Sequence, residues 1–155
     1  MTLDRPSLAI LFEGAPRFLD RIEMAGPFPS TDVLFHVARD IAHAMPEDEQ
    51  IELLDAHPRL GAPPGTMSAM SYSEQGYDRA AGTAVDVAAE LARLNDAYER
   101  RHGFRYCVFV AGRPRESLLP GIAAAVEADR TSELHRALDA VIDIAIDRHG
   151  KLSSR

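Results

Sequence analysis

"DAHPRLGAPPGTMSAMSYSEQ", residues 55–75, is the stretch on which the reading of this chain turns. It carries Pro58, Gly61, Pro63, Pro64 and Gly65, residue types that set turns and end helices. Both of its flanks have a helical pattern. Helix connections commonly run about 2–8 residues, so a compact protein that keeps a longer irregular segment here needs a reason for it. The ends of the segment hold reactive side chains: His57 at one, Ser71, Glu74 and Gln75 at the other.

The pattern on each side gives the fold. Upstream, Pro46 suits the first position of a helix, and Glu47, Asp48 and Glu49 favour its dipole. That helix buries Ile51 and Leu54 and must stop near Ala56, because the residue before Pro58 is pushed away from α geometry. Before it, Ser30 or Thr31 caps a helix whose apolar positions are Leu34, Val37, Ile41 and Met45. Downstream, a long helix is expected to begin near Ser71, with Val87, Leu91, Leu94 and Tyr98 as its stripe and Gly103 as its stop. Arg105 to Val110, "RYCVFV", has strand propensity. A lone strand has no partner, so an extended segment laid against helices is expected. Pro114 to Asp129 reads as helical, broken at Pro120-Gly121. A last helix starts around Thr131, buries Leu134, Leu138, Val141 or Ile142, and Ala145, and ends near Gly150. The expectation is an all-α, single-domain helical bundle over residues 1–155, with one extended segment near 105–110.

Composition limits the function classes. A chain of 155 residues with 46% apolar composition is one domain's worth and has enough to bury a core. A formal net charge of −7 argues against generic binding to nucleic acid or an anionic membrane. The lone Cys107 rules out an internal disulfide and fits a reducing compartment. The apolar run Leu8 to Phe12 is too short for a signal h-region or a membrane span. A soluble cytoplasmic protein is expected.

Most catalytic patterns are missing. There is no H-E-x-x-H, no Cys-x-x-Cys and no G-x-S-x-G elbow, and His36 and His43 read as surface or half-buried side chains. Cys107 lies inside an apolar run, where a thiol is inert. Neither a metal nor a cofactor is expected. His57 stands where a helix ends and a proline follows, a position that favours the protonated imidazole. On position alone a helix cap is the better reading. Ser71-Tyr72-Ser73-Glu74 fits an S-x-x-E capping box, which competes with a ligand role for Glu74. Arg113 reads as solvated, and Arg148 as a helix-end cation or a ligand for an anion.

Taken in order, "LFEGAP" at 11–16, "HPRLG" at 57–61, "SYSEQ" at 71–75, "LNDAY" at 94–98, "HGFRYCVFVAGR" at 102–113 and the end around Arg148 make the chain resemble the 2-oxo-4-hydroxy-4-carboxy-5-ureidoimidazoline (OHCU) decarboxylases of urate breakdown. The resemblance implies an all-helical fold, commonly a homodimer, and a cofactor-free decarboxylation of OHCU to S-allantoin. It also implies that His57 and Glu74 are catalytic, and that Pro58, Ser71, Gln75, Arg148 and the backbone around Val108 and Phe109 bind substrate. In that reading His57 delivers a proton, and Arg148 pairs with a carboxylate as a bidentate fork. Two departures stand out: Arg59 replaces the family's acidic residue in the His-Pro loop, and Asp147 precedes Arg148. A related ureido-acid lyase and a catalytically silent helical ligand-binding or interaction module remain the alternatives.

Overall fold

The computed structural model describes residues 3–61, 68–75 and 85–154. Among these are eight α-helices: α1 (Arg5–Phe12), α2 (Pro16–Ala25), α3 (Thr31–Ala44), α4 (Glu47–Asp55), α5 (Ala69–Glu74), α6 (Val85–His102), α7 (Leu119–Glu127) and α8 (Arg130–Ser153). A 3-10 turn, Arg115–Leu118, precedes α7. The helix starts follow local chemistry. Asp4, Ser30, Ser68 and Asp129 each cap with a side-chain oxygen that accepts a backbone N–H three residues on.

The 24-residue α8 is the spine, with α1, α3 and α4 packed along it. Its Leu134, Leu138, Val141, Ile142 and Ala145 are buried, as the spacing predicts. The helix runs past Gly150 to Ser153, because a glycine without a left-handed turn only weakens a helix and does not end one. At Gly103, by contrast, φ is +81°, and its N–H closes α6 on the Glu99 carbonyl.

Several boundaries and faces differ from the sequence expectation. The buried stripe of α3 is Leu34, Phe35, Ala38 and Ala42, rotated by one position from the expected one, so that Val37 and Ile41 lie at its margin. Phe35 meets Phe12 edge-on at 6.3 Å, and Ala38 and Ala42 are fully buried. In α4 the core residues are Leu53 and Leu54, while Ile51 is half-buried. Pro120 sits in the first turn of α7, where its missing N–H costs nothing, so the break falls before it. Ser71 does not open the long helix. It lies inside the short α5, which Ser68 caps, and the capping-box reading of Ser71 and Glu74 is therefore overturned. The chain between α5 and α6, and Pro63, Pro64 and Gly65 of the irregular stretch, lie outside the described residues.

Residues 105–110 form no helix and, as expected of a lone segment with strand propensity, belong to no sheet. Arg105 fastens their start to the end of α4: Nη1 donates to the Asp55 and His57 carbonyls at 2.9 and 2.6 Å, and the Arg105 N–H donates to Asp55 Oδ1 at 3.0 Å. Among the described residues no helix is long and apolar enough to cross a membrane.

Candidate active site

The His57–Gly61 part of the irregular stretch is held tightly. Arg59 turns away from the protein interior and pairs with Asp96 (2.7 Å) and Glu99 (2.6 Å) on α6. Asn95 donates to the Leu60 carbonyl at 2.9 Å. Gln75 closes the turn from the other side: its Oε1 accepts from the Gly61 N–H at 2.7 Å, and its Nε2 donates to the Arg59 carbonyl at 3.0 Å. Gly61 has φ +82°, and a Cβ there would come within 3.1 Å of Leu91, so only glycine fits. The two ends of the stretch are thus brought face to face.

Between them lies a small pocket, with a cavity of about 80 Å³. All eight residues singled out in the sequence line it: His57, Pro58, Ser71, Glu74, Gln75, Val108, Phe109 and Arg148. Arg59 does not, so its replacement of an acidic residue alters the loop's anchor and not the described lining. The 106–110 segment forms one wall. Because it joins no sheet, its backbone polar groups are not committed to a ladder.

His57 is buried, at 4% exposure. Its Nδ1 lies 3.0 Å from the Leu53 carbonyl. A carbonyl only accepts, so Nδ1 carries the hydrogen, and Nε2 presents a bare lone pair. That Nε2 is buried and has no hydrogen-bond partner. One ring nitrogen therefore caps α4, and the other is left free to act on a ligand. The expected protonated imidazole is not found. Burial, and next the Arg148 charge, push the His57 pKa down to about 4, against smaller opposing effects of Glu13 and the Leu53 carbonyl. Desolvation outweighs the helix end. Because the folded value lies below the ordinary 6.5, the unfolded chain binds the proton more tightly. The stabilisation from a neutral His57 is complete above pH 6.5 and is lost as pH falls from there toward about 4. The loss should total roughly 3 kcal/mol. Urea unfolding of wild type and His57→Asn at pH 7 and pH 5 checks it: the variant should lose less stability over that interval.

Among the described residues Arg148 is the largest fully buried side chain, at 1% exposure. Its fork is already filled. Nε and Nη2 donate to Glu74 Oε2 and Oε1 at 2.9 and 2.8 Å, a bidentate pair. Nη1 donates to the Ile10 carbonyl at 2.8 Å, and Nη2 also reaches Glu13 Oε1 and Ser71 Oγ, each at 3.1 Å. Burial by itself would lower the guanidinium pKa, but Glu74 and Glu13 outweigh it and leave the pKa above its ordinary value. Breaking a buried pair of this kind costs about 3–5 kcal/mol.

Glu13, behind the pocket lining, is one residue that sequence reading passed over, as it did Lys151 in the lining itself. It ends α1 with φ 60° and ψ −164°, a conformation that is essentially glycine's. Its Oε1 accepts from Ser71 Oγ at 2.9 Å and Ser68 Oγ at 3.1 Å as well as from Arg148. The strained backbone sets that carboxylate beside the buried cation. "LFEGAP" belonged to the resemblance, but nothing in its spacing says that the glutamate turns inward.

Asp147 does not compete for Arg148. It pairs instead with Lys151, one turn on, at 2.8 Å, and both line the pocket. Cys107 also lines it, but the thiol is buried, points at the Leu54 carbonyl (3.5 Å) and is pushed up by desolvation to about 12. It is neutral and unreactive. Arg113 is exposed, yet its Nε and Nη2 donate to the Val110 and Phe109 carbonyls at 2.9 and 2.6 Å. Among the described residues no group of three or more His, Cys, Asp or Glu is placed to hold a metal ion.

An all-helical scaffold with a small half-enclosed pocket, a neutral imidazole with a free nitrogen and a carboxylate fixed by a buried arginine defines a small-molecule site built for moving protons. The sequence profile of the OHCU decarboxylase family matches residues 5–150, and the chain belongs to that family. Among its relatives, the uric acid degradation bifunctional protein PucL of Bacillus subtilis is 29% identical over 139 residues, which cover 90% of this chain but only 28% of that protein. The 2-oxo-4-hydroxy-4-carboxy-5-ureidoimidazoline decarboxylase of Haloferax volcanii is 27% identical over 135 residues, 87% of this chain and 80% of that protein. The fold is that of a crystal structure of OHCU decarboxylase in the presence of (S)-allantoin, with TM-score 0.77 and 23% identity over 98% of this chain and 100% of that one.

Proposed function

We propose that this chain decarboxylates OHCU to (S)-allantoin, as a single catalytic domain, without metal or cofactor, in the cytoplasm and as a homodimer. The observation that carries the reading is the bare Nε2 of a neutral His57 in the same pocket as the Glu74–Arg148 pair. Membership of the family and the similarity to the Haloferax decarboxylase support the choice of substrate.

The chemistry needs no electron sink beyond the substrate. When the bond from C4 to the carboxylate breaks, its electron pair forms a C4=C5 double bond, and the pair of the adjacent ring imine moves onto nitrogen. That nitrogen takes a proton from solvent. The 4-hydroxyl, now an enol, gives its proton to His57 Nε2, and the imidazolium so formed returns a proton to C5 on one face. The C4 carbonyl of allantoin is left, and the imidazole is neutral again. The sum is one substrate anion and one proton in, CO2 and allantoin out. A histidine neutral at rest suits this order: it accepts first and donates second.

Glu74 has a lone pair left on each oxygen after pairing with Arg148, and these are suited to the ureido and ring N–H groups. Ser71 and Gln75 hold the walls in register, through Glu13 and the Gly61 turn. Pro58 and the Val108–Phe109 backbone complete the enclosure. Arg148 acts chiefly by fixing Glu74, since a direct fork to the substrate would require giving up a buried pair.

Freshly generated OHCU supplied to the pure protein should disappear well above its spontaneous rate. Its kcat/KM should hold down to about pH 5, because the free enzyme's imidazole stays neutral until pH approaches about 4. Turnover no faster than background would refute the proposed activity. An acid limb centred near the ordinary histidine value would refute the neutral resting imidazole.

A further inference from the structure

We infer that Lys151, at the end of α8, is the cation that receives the substrate's carboxylate; this rests on the decarboxylase reading above. Among the described residues two cations line the pocket, Arg148 and Lys151. Arg148 is fully buried, and its fork is closed on Glu74. Lys151 is different in each respect. Its side chain is 53% exposed, and its charged partner among the described residues is Asp147, one helical turn away and 29% exposed, whose Oδ2 is itself buried and meets the ammonium at 2.8 Å without a well-aligned hydrogen bond. A partly exposed pair of this kind is screened and exchanges partners cheaply. The other nearby cations, Arg105 and Arg113, do not line the pocket, and both donate to backbone carbonyls.

Charge balance points the same way. The ionic lining residues are Glu74 and Asp147 against Arg148 and Lys151, already neutral in sum, with Glu13 behind them and His57 uncharged. An incoming carboxylate therefore needs a cation that can leave its partner, and of the two cations in the described lining Lys151 is the one not held in a buried fork. The placement also suits the reaction. A carboxylate gripped by a buried fork would be stabilised in the ground state and slow to lose CO2. A flexible ammonium in partial contact with water steers and holds the group lightly, and leaves it at the open side of the pocket, where CO2 departs. Lys151 contributes binding, and His57 and Glu74 the chemistry.

The test is a split between KM and kcat at low ionic strength. Lys151→Gln should raise KM for OHCU about tenfold with kcat within about twofold of wild type, and should flatten the dependence of kcat/KM on salt. Lys151→Arg should restore the wild-type KM. Asp147→Asn removes the competing anion and should lower KM. A role confined to the helix end would move the melting temperature of Lys151→Gln and leave KM and the salt dependence unchanged; that result, or a KM in Asp147→Asn that rises with a normal kcat, would overturn the assignment. Both are read against wild-type turnover, so a wild type that does not consume OHCU sinks the proposed activity instead.

Discussion

His57→Asn is expected to lower kcat for OHCU by about 10²–10⁴ while the protein remains folded. The argument rests on the division of labour within one ring. Nδ1–H binds the Leu53 carbonyl, a helix-end contact whose loss is modest. Nε2 is the free nitrogen in the pocket, and asparagine has no group that both accepts and returns a proton near neutral pH. The melting temperature should fall by only about 2–8 °C, the shift that about 1 kcal/mol produces in a domain. Activity and melting measured on one preparation check both halves. A variant that melts much earlier but turns over normally while folded would make His57 purely structural.

Arg148→Met should have the largest effect on stability. It leaves Glu74 and Glu13 near each other in a poorly hydrated place without their cation, and removing one partner of a buried pair costs about 3–5 kcal/mol. For a chain of this size that corresponds to a fall of roughly 6–20 °C in melting temperature. The same change lifts a positive charge from His57, whose pKa should rise toward its ordinary value, visible as an upward move of its ring resonances in an NMR pH titration. Loss of activity with neither the stability loss nor the His57 shift would mean that Arg148 acts on substrate directly and does not hold Glu74.

Much of the fold was legible because it depends on short-range rules. Proline and glycine placed the end of α4 and the end of α6, and threefold and fourfold spacing located the buried faces of α6 and α8. The α3 face was misplaced by one position because Phe35, Ala38 and Ala42 fit a helical stripe as well as Leu34, Val37 and Ile41 do, and only the neighbours, α2 and α8, decide between them. The start of the long helix was misread for a related reason: S-x-x-E satisfies a capping box locally, but Glu74 is drawn off by Arg148, 74 residues away. The eight lining residues singled out in the sequence came from the ordered motifs, whereas Lys151, which lines the same pocket, carried no signal of its own. The pocket's protonation did not come from them, because position at a helix end argues for a charged His57, whereas the burial that overrides it belongs to the folded whole. Glu13 was hidden by the same limit: its inward turn depends on a backbone conformation that a glutamate adopts only under tertiary constraint.

The most direct test of the central claim is circular dichroism of the product. Freshly generated OHCU is incubated with the wild-type protein and with His57→Asn, and the optical activity of (S)-allantoin is followed beside the spontaneous reaction. Wild type should give a rapid signal of the S product, because C5 is protonated on one face, and the variant should follow the spontaneous trace. A racemic product with wild type, or an S signal from His57→Asn at the wild-type rate, would contradict a site in which this buried, neutral histidine carries the proton.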